Sequence, residues 1–589
     1  MKKFLLYTLA TITGIIIASI LFFIIALAGI SAMVASGDKT VSVSEKTILV
    51  LKSGVEIPDK GDPDPWAGFD IFSMSFTPTP GLNEILDNIK KASTDKKISG
   101  ILIENGLLSP GWATTEELRN ALLKFRESGK FIISYSDYIL TQEGYFLSTS
   151  SDKIYLNPGA SMDFRGLSGE VMFYKKALEK IGVDVQVIRH GKFKGAVEPF
   201  ILDEMSKENR EQIKDYVGSI WNHVVSGIST ARNIPVDQVN KMADNLVATN
   251  APDALRNKLI DGLLYRDELI DTLKSLTGIK KTDKLHYISM SKYTKVPDPA
   301  RMYSATSKIA VIYAEGDIVI GKGTGSNIGG TDYADLIRGQ RLDSNIKAIV
   351  LRVNSPGGSA VASDQIWREL DLAVKVKPVI VSMGNYAASG GYYISAPATK
   401  IYASPVTISG SIGVFGMLPN AGKLLKDKLG ISIETVNTNS HSDFPSFFRP
   451  LNGVEQQVMQ KSIENIYSDF VSRVSEGRKM KKSLVDSIGQ GRVWSGTRAK
   501  EIGLVDEIGG LGDAIKEAAK LANIEKYSLK ELPETVDPYS KIISGLTGDI
   551  RIRMIEKELG VNAKYYNEIK ELASMSGILV RLPYFIEIH

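Results

Sequence analysis

Residues 379–393 read Val-Ile-Val-Ser-Met-Gly-Asn-Tyr-Ala-Ala-Ser-Gly-Gly-Tyr-Tyr. The branched apolar residues at the start predict a buried β-strand, and the small residues that follow predict a turn into a helix. Ser389 falls at the start of that helix, where its own backbone N–H and that of Gly390 would favour a developing oxyanion. Ser389 is therefore a candidate nucleophile. Because Ala-Ser-Gly-Gly is also typical of a plain strand-to-helix joint, the choice between the two interpretations depends on the rest of the chain.

The sequence contains an internal repeat. Asp95 corresponds to Asp343 and Tyr138 to Tyr386, and both pairs are 248 positions apart. Four pairs of apolar segments correspond in the same order: 46–51 with 308–313, 95–103 with 343–351, 131–134 with 379–382, and 153–155 with 400–402. Self-similarity with so long a period predicts two structurally equivalent halves.

Each half alternates apolar β-runs with helical patterns, which predicts the α/β class with right-handed βαβ crossovers and largely parallel sheets. The helical patterns cover 115–127 and 209–231 in the first half, and 363–375 and 455–478 in the second. We expect a first repeat at 37–280, a polar linker at 281–300, a second repeat at 301–532, and a tail at 533–589 that has no counterpart in the first half.

The N-terminus is strongly apolar. Residues 4–34 contain no charged side chain and follow Met1-Lys2-Lys3. This run is longer than the core of a signal peptide and long enough to span a bilayer. It predicts a single transmembrane anchor at residues 1–36, with the two lysines on the cytoplasmic side and the rest of the chain exported. A cleaved signal peptide is the alternative interpretation.

The overall composition limits the classes of function. The chain has 589 residues, enough for several domains, and its 71 Lys and Arg against 67 Asp and Glu give a net charge of +4. Nothing in this balance indicates a nucleic-acid partner. The absence of cysteine excludes disulfides, thiolate metal sites and a cysteine nucleophile.

The halves differ at the serine turn. The first-half counterpart of residues 387–391 is Ile139-Leu140-Thr141-Gln142-Glu143-Gly144, which has larger side chains, one inserted residue and no serine. The glycine turn Asn354-Ser355-Pro356-Gly357-Gly358 also has a counterpart, but Trp112 stands where Gly358 would fall. Paired glycines after a strand let the backbone point its N–H groups at a reacting carbonyl, although Pro-Gly-Gly alone is usually a simple turn.

Elsewhere in the repeat, it is the second half that lacks a residue present in the first. Residues 182–194 align without gaps with residues 430–442, so that Lys194 falls opposite Ser442. A lysine can activate a serine hydroxyl when burial lowers its pKa and populates the neutral amine. A single loop lysine is ordinarily just a solvated charge, but one half keeps the serine turn and the other keeps the lysine. We therefore expect Lys194 and Ser389 to meet between the halves.

Two histidines are alternative bases. His190 lies four residues before Lys194, and His441 is adjacent to Ser442. Neither has an acidic partner at an interpretable spacing, which favours surface or structural roles. The five histidines of the chain are scattered rather than placed at metal-ligand spacing, so the sequence predicts no metal site and no cofactor.

Four motifs in order now give a specific resemblance. They are Lys192-Phe193-Lys194-Gly195-Ala196-Val197-Glu198-Pro199-Phe200, Asn354-Ser355-Pro356-Gly357-Gly358, Ala388-Ser389-Gly390-Gly391-Tyr392-Tyr393, and Thr407-Ile408-Ser409-Gly410-Ser411-Ile412-Gly413-Val414. With them, the chain from the anchor to about residue 530 resembles the signal peptide peptidase A family in its long, two-repeat form, also called protease IV.

The resemblance implies two tandem crotonase-like (ClpP-like) repeats behind the anchor, and a membrane-bound serine protease that degrades signal peptides after their removal from exported proteins. It implies a homotetramer at the bacterial inner membrane with catalytic domains on the periplasmic side. By the same resemblance, Ser389 is the nucleophile, Lys194 the general base and Ser411 the residue that orients the lysine. Gly358 and Gly390 supply the oxyanion-binding N–H groups, and Gly357 is a neighbouring candidate.

Two other functions are alternatives to this one. A crotonase-type acyl-CoA enzyme would share the glycine turn, but the predicted export of the chain disfavours it because CoA is absent outside the cytoplasm. A non-catalytic membrane scaffold fits the first half, which lacks the serine, but does not explain the serine and lysine kept by the chain as a whole.

Overall fold

A computed structural model describes most of the chain. The described residues are 3–4, 6–8, 10–21, 41–54, 56–61, 69–70, 75–76, 80–107, 109–298, 305–323, 327–534, 577–582 and 587–588. Residues 22–40, which make up much of the predicted membrane anchor at 1–36, lie outside them. Within these ranges, no helix is both long enough and apolar enough to cross a lipid bilayer.

The first half forms a parallel sheet of six strands. In spatial order they are Gly262–Leu263, Lys153–Leu156, Phe131–Ser136, Ile98–Glu104, Thr47–Lys52 and His286–Ser289. Successive side chains of a strand point to opposite faces of a sheet. Ile101 accordingly packs into one apolar cluster and Leu102 into another, so both faces of this sheet are covered.

The helices of the first half connect and cover these strands. They are Leu82–Thr94, Trp112–Arg126, Gln142–Ser148, Lys175–Ile181, Glu198–Ile201, Lys207–Arg232, Val236–Asp244, Ala251–Arg256, Arg266–Thr277 and Met290–Thr294, with a short 3₁₀ turn at Gly195–Val197. Lys207–Arg232 confirms the long amphipathic helix predicted over 209–231, and Ser206 caps its N-terminus by accepting a hydrogen bond from the Asn209 N–H.

The second half builds a corresponding sheet of eight strands. Six follow in the order Val493–Ser495, Ile408–Gly410, Val379–Ala388, Ile346–Ser355, Lys308–Glu315 and Ser528–Leu532, and Lys400–Ala403 joins Val379–Ala388 to Glu507–Ile508. All pairs are parallel except that of Val493–Ser495 with Ile408–Gly410. The α/β prediction is confirmed.

The second-half helices lie at positions that correspond to those of the first half. They are Gly330–Leu342, Ala360–Ala373, Gly390–Ser395, Gly453–Gly477, Lys482–Ile488, Gly496–Glu501 and Leu511–Leu521, with a π-helical turn at Leu424–Lys428. Gly453–Gly477 confirms the second long helix, predicted over 455–478.

Part of the expected linker is a strand. His286–Ser289 pairs with Thr47–Lys52 at the sheet edge, the position that Ser528–Leu532 takes beside Lys308–Glu315 in the second half. The segment 281–300 therefore contains the closing strand of the first half. Four residues are too few to show the alternation of apolar and polar side chains that is typical of a strand. Parallel pairing with a strand that is distant in the sequence stabilises the segment instead.

A third sheet joins the two halves. Its strands, in order, are Asp184–His190, Val414–Asn420, Gly577–Arg581, Gly357–Ser359, Ile318–Val319 and Ile328–Gly329. The first comes from the first half and the third from the tail, whereas the others belong to the second half. Three two-stranded pairs complete the described strands: Phe69–Asp70 with Ser75–Phe76, Ile139–Leu140 with Ser161–Met162, and Gly169–Glu170 with Glu587–Ile588.

A buried ion cluster also fixes the halves to each other. Arg352 of the second half is fully buried, and its Nε donates to Asp59 Oδ1 of the first half at 2.9 Å. Its Nη1 lies 2.6 Å from Glu117 Oε1. Burial alone would lower the pKa of Arg352, but the charges of Asp59 and Glu117 more than reverse this and raise it. Removing one member of such a cluster leaves a buried charge uncompensated, so the cluster holds one relative orientation of the halves.

Candidate active site

Ser389 stands at a strained turn. The strand Val379–Ala388, hereafter the serine strand, ends immediately before it, and the helix Gly390–Ser395 begins immediately after. Ser389 has φ +56° and ψ −112°, a conformation that is rare for a residue with a side chain. Its N–H donates to the Gly410 carbonyl at 2.8 Å, and its side chain is fully buried. The turn therefore holds the hydroxyl in one place at the end of the strand.

Lys194 reaches this hydroxyl from the first half. It follows the strand Asp184–His190, hereafter the lysine strand, which pairs antiparallel with Val414–Asn420 of the second half. The Lys194 Nζ lies 2.9 Å from Ser389 Oγ and 3.0 Å from Ser411 Oγ. The structure thus brings together the serine and the lysine that the two halves keep separately.

The electrostatic setting favours an uncharged amine. Lys194 is fully buried, and among the ion pairs of the described residues none involves it. Burial lowers the pKa of Lys194 well below the ordinary value of 10.5, because no nearby carboxylate compensates for desolvation of the charge. A neutral amine can accept the proton of a serine hydroxyl, so the pair has the chemistry of a nucleophile and its base.

Ser411 lies beside the amine. It follows the strand Ile408–Gly410, has φ +52°, and anchors its backbone by donating its N–H to the Arg492 carbonyl at 2.7 Å. Both its hydroxyl oxygen, at 3.0 Å, and its carbonyl oxygen, at 3.3 Å, lie near Lys194 Nζ. The amine thus has two fixed neighbours besides Ser389.

Paired glycines lie beside the serine. Gly357 and Gly358, at φ +106° and +153°, open the strand Gly357–Ser359, hereafter the glycine strand. A Cβ on Gly358 would lie 2.1 Å from the Ile318 carbonyl oxygen, and a Cβ on Gly357 would lie 2.7 Å from the Gly390 nitrogen. Only glycine permits this close approach of backbone to backbone. The Gly357 N–H donates to Ser355 Oγ at 3.1 Å, so this N–H is already engaged within its own turn.

The loop at residues 191–197, hereafter the lysine loop, contains Lys194. It is supported by side chains that are not among the predicted site residues. Gln212 Nε2 donates to the Phe193 carbonyl at 2.9 Å, and Gln212 Oε1 accepts the Val493 N–H at 3.1 Å. Glu198 is fully buried and accepts hydrogen bonds from Ser206 and Asn209. Of these residues only Glu198 lies within a motif that carried the resemblance; a lone glutamine on a long helix gives no sequence signal.

The alternative bases point elsewhere. The ring of His190 stacks on that of Tyr467, with centroids 3.8 Å apart. His441 lies 3.0 Å from the Glu455 carboxylate on an exposed segment that also contains Ser442. Each histidine thus has a structural neighbour, and neither is bonded to Ser389.

Gly491 provides a test of how closely the lysine must be held. It has φ +81°, and a Cβ there would lie 2.7 Å from both Lys194 N and Lys194 Cβ. We expect Gly491→Ala to displace the lysine and to slow covalent labelling of Ser389 by a fluorophosphonate roughly 10²-fold, since displacements of about 1 Å have effects of that size.

Gly430→Ala is the matched control. Gly430 also has positive φ, +67°, but a Cβ there would have no neighbour within 4 Å. The two variants therefore share backbone strain and differ in the contact with Lys194. Equal labelling rates for both would show that the packing of Gly491 against the lysine does not matter.

Comparison with known proteins identifies relatives of the whole chain. The sequence profile of peptidase family S49 matches residues 124–280 and 372–525. Protease 4 of Haemophilus influenzae is 35% identical to the chain over 83% of the chain and 82% of its own length. The chloroplastic serine protease SPPA of Arabidopsis thaliana is 32% identical over 87% and 76%, respectively. A putative signal peptide peptidase SppA of Enterococcus faecium is 38% identical over 30% of the chain and 52% of that protein.

The profile falls on both halves, and the first two relatives extend over most of the chain. The resemblance drawn from the four motifs is confirmed, and the acyl-CoA enzyme and the non-catalytic scaffold are set aside. The chain belongs to peptidase family S49 and is a serine-type peptidase.

Proposed function

We propose that Ser389 is the nucleophile and Lys194 the general base of a Ser/Lys dyad that hydrolyses peptide bonds. The observation that supports this most directly is the 2.9 Å separation of Lys194 Nζ and Ser389 Oγ in a fully buried setting, where no ion pair of the described residues involves Lys194. We assign both halves to the crotonase-like fold, for which their corresponding strand order is the support.

The proposed reaction has two acyl-transfer steps. Neutral Lys194 takes the Ser389 proton as Oγ attacks the peptide carbonyl carbon, and the N–H groups of Gly358 and Gly390 bind the oxyanion. The Lys194 ammonium then protonates the leaving nitrogen as the C–N bond breaks, which leaves an acyl-enzyme. Water repeats the sequence on the ester and restores both residues. Ser411 keeps the amine aligned in both steps.

The substrates we propose are signal peptides already cut from exported proteins. Such peptides are apolar, and apolar side chains line the strands around the dyad, including Phe415 and Met417. We further propose that residues 1–36 anchor the enzyme in the bacterial inner membrane with the catalytic halves on the periplasmic side, for which the charge-free run at residues 4–34 is the support.

Two measurements address these points. We expect a leucine-rich peptide to be cleaved with at least about tenfold higher kcat/KM than an equally long charged one, because burial of apolar side chains beside the dyad lowers the free energy of the enzyme–peptide complex. We expect the full chain to float with lipid vesicles on a density gradient, and a chain that begins near residue 40 to stay at the bottom. Equal turnover of both peptides, or flotation of neither protein, would contradict the respective proposal.

We propose a head-to-tail ring as the assembled form, with four copies as the resemblance implies. Within one chain the lysine strand pairs with Val414–Asn420. Its counterpart in the second half, residues 432–438, pairs with no strand among the described residues, and it exposes Ile433 and Val436, the latter by 95%. Pairing of this segment with the region of Gly169–Glu170 in the next copy would repeat the internal contact, and a heterologous contact of this kind forms a ring when the rotation between copies closes.

Val436→Asp tests the ring. A charge within a strand interface between copies weakens that interface, so we expect a smaller mass than wild type by light scattering at equal concentration. Ile320→Asp, at a position that is 71% exposed and far from this segment in the sequence, should leave the mass unchanged. If the Val436 variant keeps the wild-type mass, the segment is not the contact between copies.

The dyad predicts the loss of activity in two single variants. Ser389→Ala removes the attacking oxygen and Lys194→Ala the base, so each should lower kcat/KM on an apolar peptide by about 10⁴-fold or more. Two matched controls are available, because Lys192 is exposed two residues before Lys194 and Ser442 is exposed opposite it in the repeat. Lys192→Ala and Ser442→Ala should keep wild-type activity.

The pH dependence of kcat/KM follows from the same residue. Only neutral Lys194 accepts a proton, so activity should rise with pH through the folded-state pKa of Lys194, which burial places well below 10.5. The acid limb of the profile therefore reports this group. An active Lys194→Ala enzyme with an unchanged acid limb would assign the base to another residue.

A further inference from the structure

A short segment of the second half, residues 490–492, contacts both the lysine loop and Ser411. The Phe193 N–H donates to the Gln490 carbonyl at 2.9 Å, and the Ser411 N–H donates to the Arg492 carbonyl at 2.7 Å. Arg492 is the one charged residue of this segment. Its backbone thus joins the loop of the proposed base to the residue beside the amine, which raises the question of what its side chain does.

The Arg492 side chain lies against two aromatic rings. Its Cζ is 4.8 Å from the ring centroid of Phe193 and 4.5 Å from that of Trp494. A guanidinium within about 6 Å of a ring centroid is attracted by the negative face of the ring, and its flat shape allows stacking. Phe193 directly precedes Lys194 and belongs to the lysine loop. The guanidinium therefore links the loop of the first half to a ring of the second.

Trp494 gives the guanidinium a fixed partner. Its side chain is 7% exposed, and its Nε1 donates to the Ile488 carbonyl at 3.0 Å. Trp494 is paired with Ser409 in the strand Ile408–Gly410, and the last carbonyl of that strand accepts the Ser389 N–H at 2.8 Å. The ring is therefore fixed relative to the turn that carries the proposed nucleophile.

Two carboxylates of the first half complete the surroundings of Arg492. Its Nη2 lies 3.3 Å from Glu211 Oε1 and 3.7 Å from Asp215 Oδ2, both on the helix Lys207–Arg232. These carboxylates are 63% and 34% exposed, and ion pairs between exposed side chains contribute little to stability. The contacts with the two rings should therefore do more to position the guanidinium than the ion pairs do.

We propose that Arg492 is a positioning residue, whose guanidinium holds the lysine loop against the second half through the ring of Phe193. With the loop held in this way, the amine of Lys194 stays within reach of Ser389 and away from water. The proposal rests on the proposed dyad and extends it, because it assigns a residue that keeps the base in place without touching the reacting atoms.

The acid limb of the pH profile reports how well the amine is buried. Burial is what lowers the pKa of Lys194, so a loosened loop that admits water raises this pKa toward its ordinary value. Only the neutral amine accepts a proton, and the acid limb of kcat/KM then moves to higher pH. Titratable and charged side chains around the loop are His190, Arg189 and Glu198 on its own half, and Arg492 with its two carboxylates. A loss of folded enzyme would lower the activity without moving the limb.

Arg492→Ala in the full chain tests the proposal. We expect kcat for a leucine-rich peptide to fall roughly tenfold, KM to stay within about twofold of wild type, and the acid limb to move to higher pH, because the base is present but poorly placed. Arg498→Ala removes an exposed arginine that pairs with Glu501 on the neighbouring helix, and it should leave all three quantities as in wild type. Either an unchanged kcat or an unmoved acid limb in a folded Arg492→Ala enzyme would overturn the proposal.

Two further variants separate the position of the loop from the charge, and they decide the matter if Arg492→Ala does not fold. Arg492→Lys keeps the positive charge without the flat guanidinium, and Phe193→Leu removes the ring that the guanidinium contacts. Each should move the acid limb to higher pH. The double variant should be no worse than the more affected single variant, because one contact is lost only once. A wild-type acid limb in both single variants, or effects that multiply in the double variant, would overturn the proposal.

The outcome for Arg492 can be separated from that for the dyad. If Lys194→Ala is inactive while the Arg492 and Phe193 variants keep the kcat and the acid limb of wild type, the positioning proposal fails and the dyad stands. If Lys194→Ala retains wild-type activity, the dyad fails, and the role assigned to Arg492 fails with it.

Discussion

The burial of one lysine amine beside one serine is the constraint on which the rest of the structure depends. A charged lysine in such a place would have to give up its hydration without compensation, so the site favours the neutral form. No carboxylate pairs with Lys194 among the described ion pairs, and within the described part of the chain its Nζ is hydrogen-bonded to Ser389 and Ser411 alone. The same desolvation that makes the residue costly to bury makes it a usable base.

That burial requires two halves that cannot move apart. The lysine strand is paired with Val414–Asn420, Gln212 bonds to both halves, and Arg352 joins them through a buried ion cluster. These contacts lie at different places along the boundary between the halves. The Lys194 amine is therefore positioned by the whole interface and not by its own loop alone. The proposed site of chemistry thus lies at the boundary between the two halves, each of which keeps a residue that the other lacks.

The corresponding position of the first half has been filled. Trp112 occupies the place of a glycine and packs against Phe146, and Glu143 is buried there with a hydrogen bond from Thr115 Oγ1. Burial raises the pKa of Glu143 to about 7. Large side chains thus stand where the second half has its glycine turn and Ser389, and the first half keeps the fold of the repeat and carries Lys194.

The sequence by itself determined the repeat, the α/β class, the order of the long helices and the complementary loss that paired Lys194 with Ser389. The strands and helices follow from local periodicities, and the repeat and the complementary loss follow from comparing one half of the sequence with the other, so none of these features needs a known contact between distant residues. Only the tertiary structure decided the closing strand His286–Ser289, the bridging role of Gln212 and the pairing of the strand Gly577–Arg581 with the glycine strand. Each of these depends on contacts between residues far apart in the chain, and a short strand or a lone glutamine acquires its role only from what lies against it.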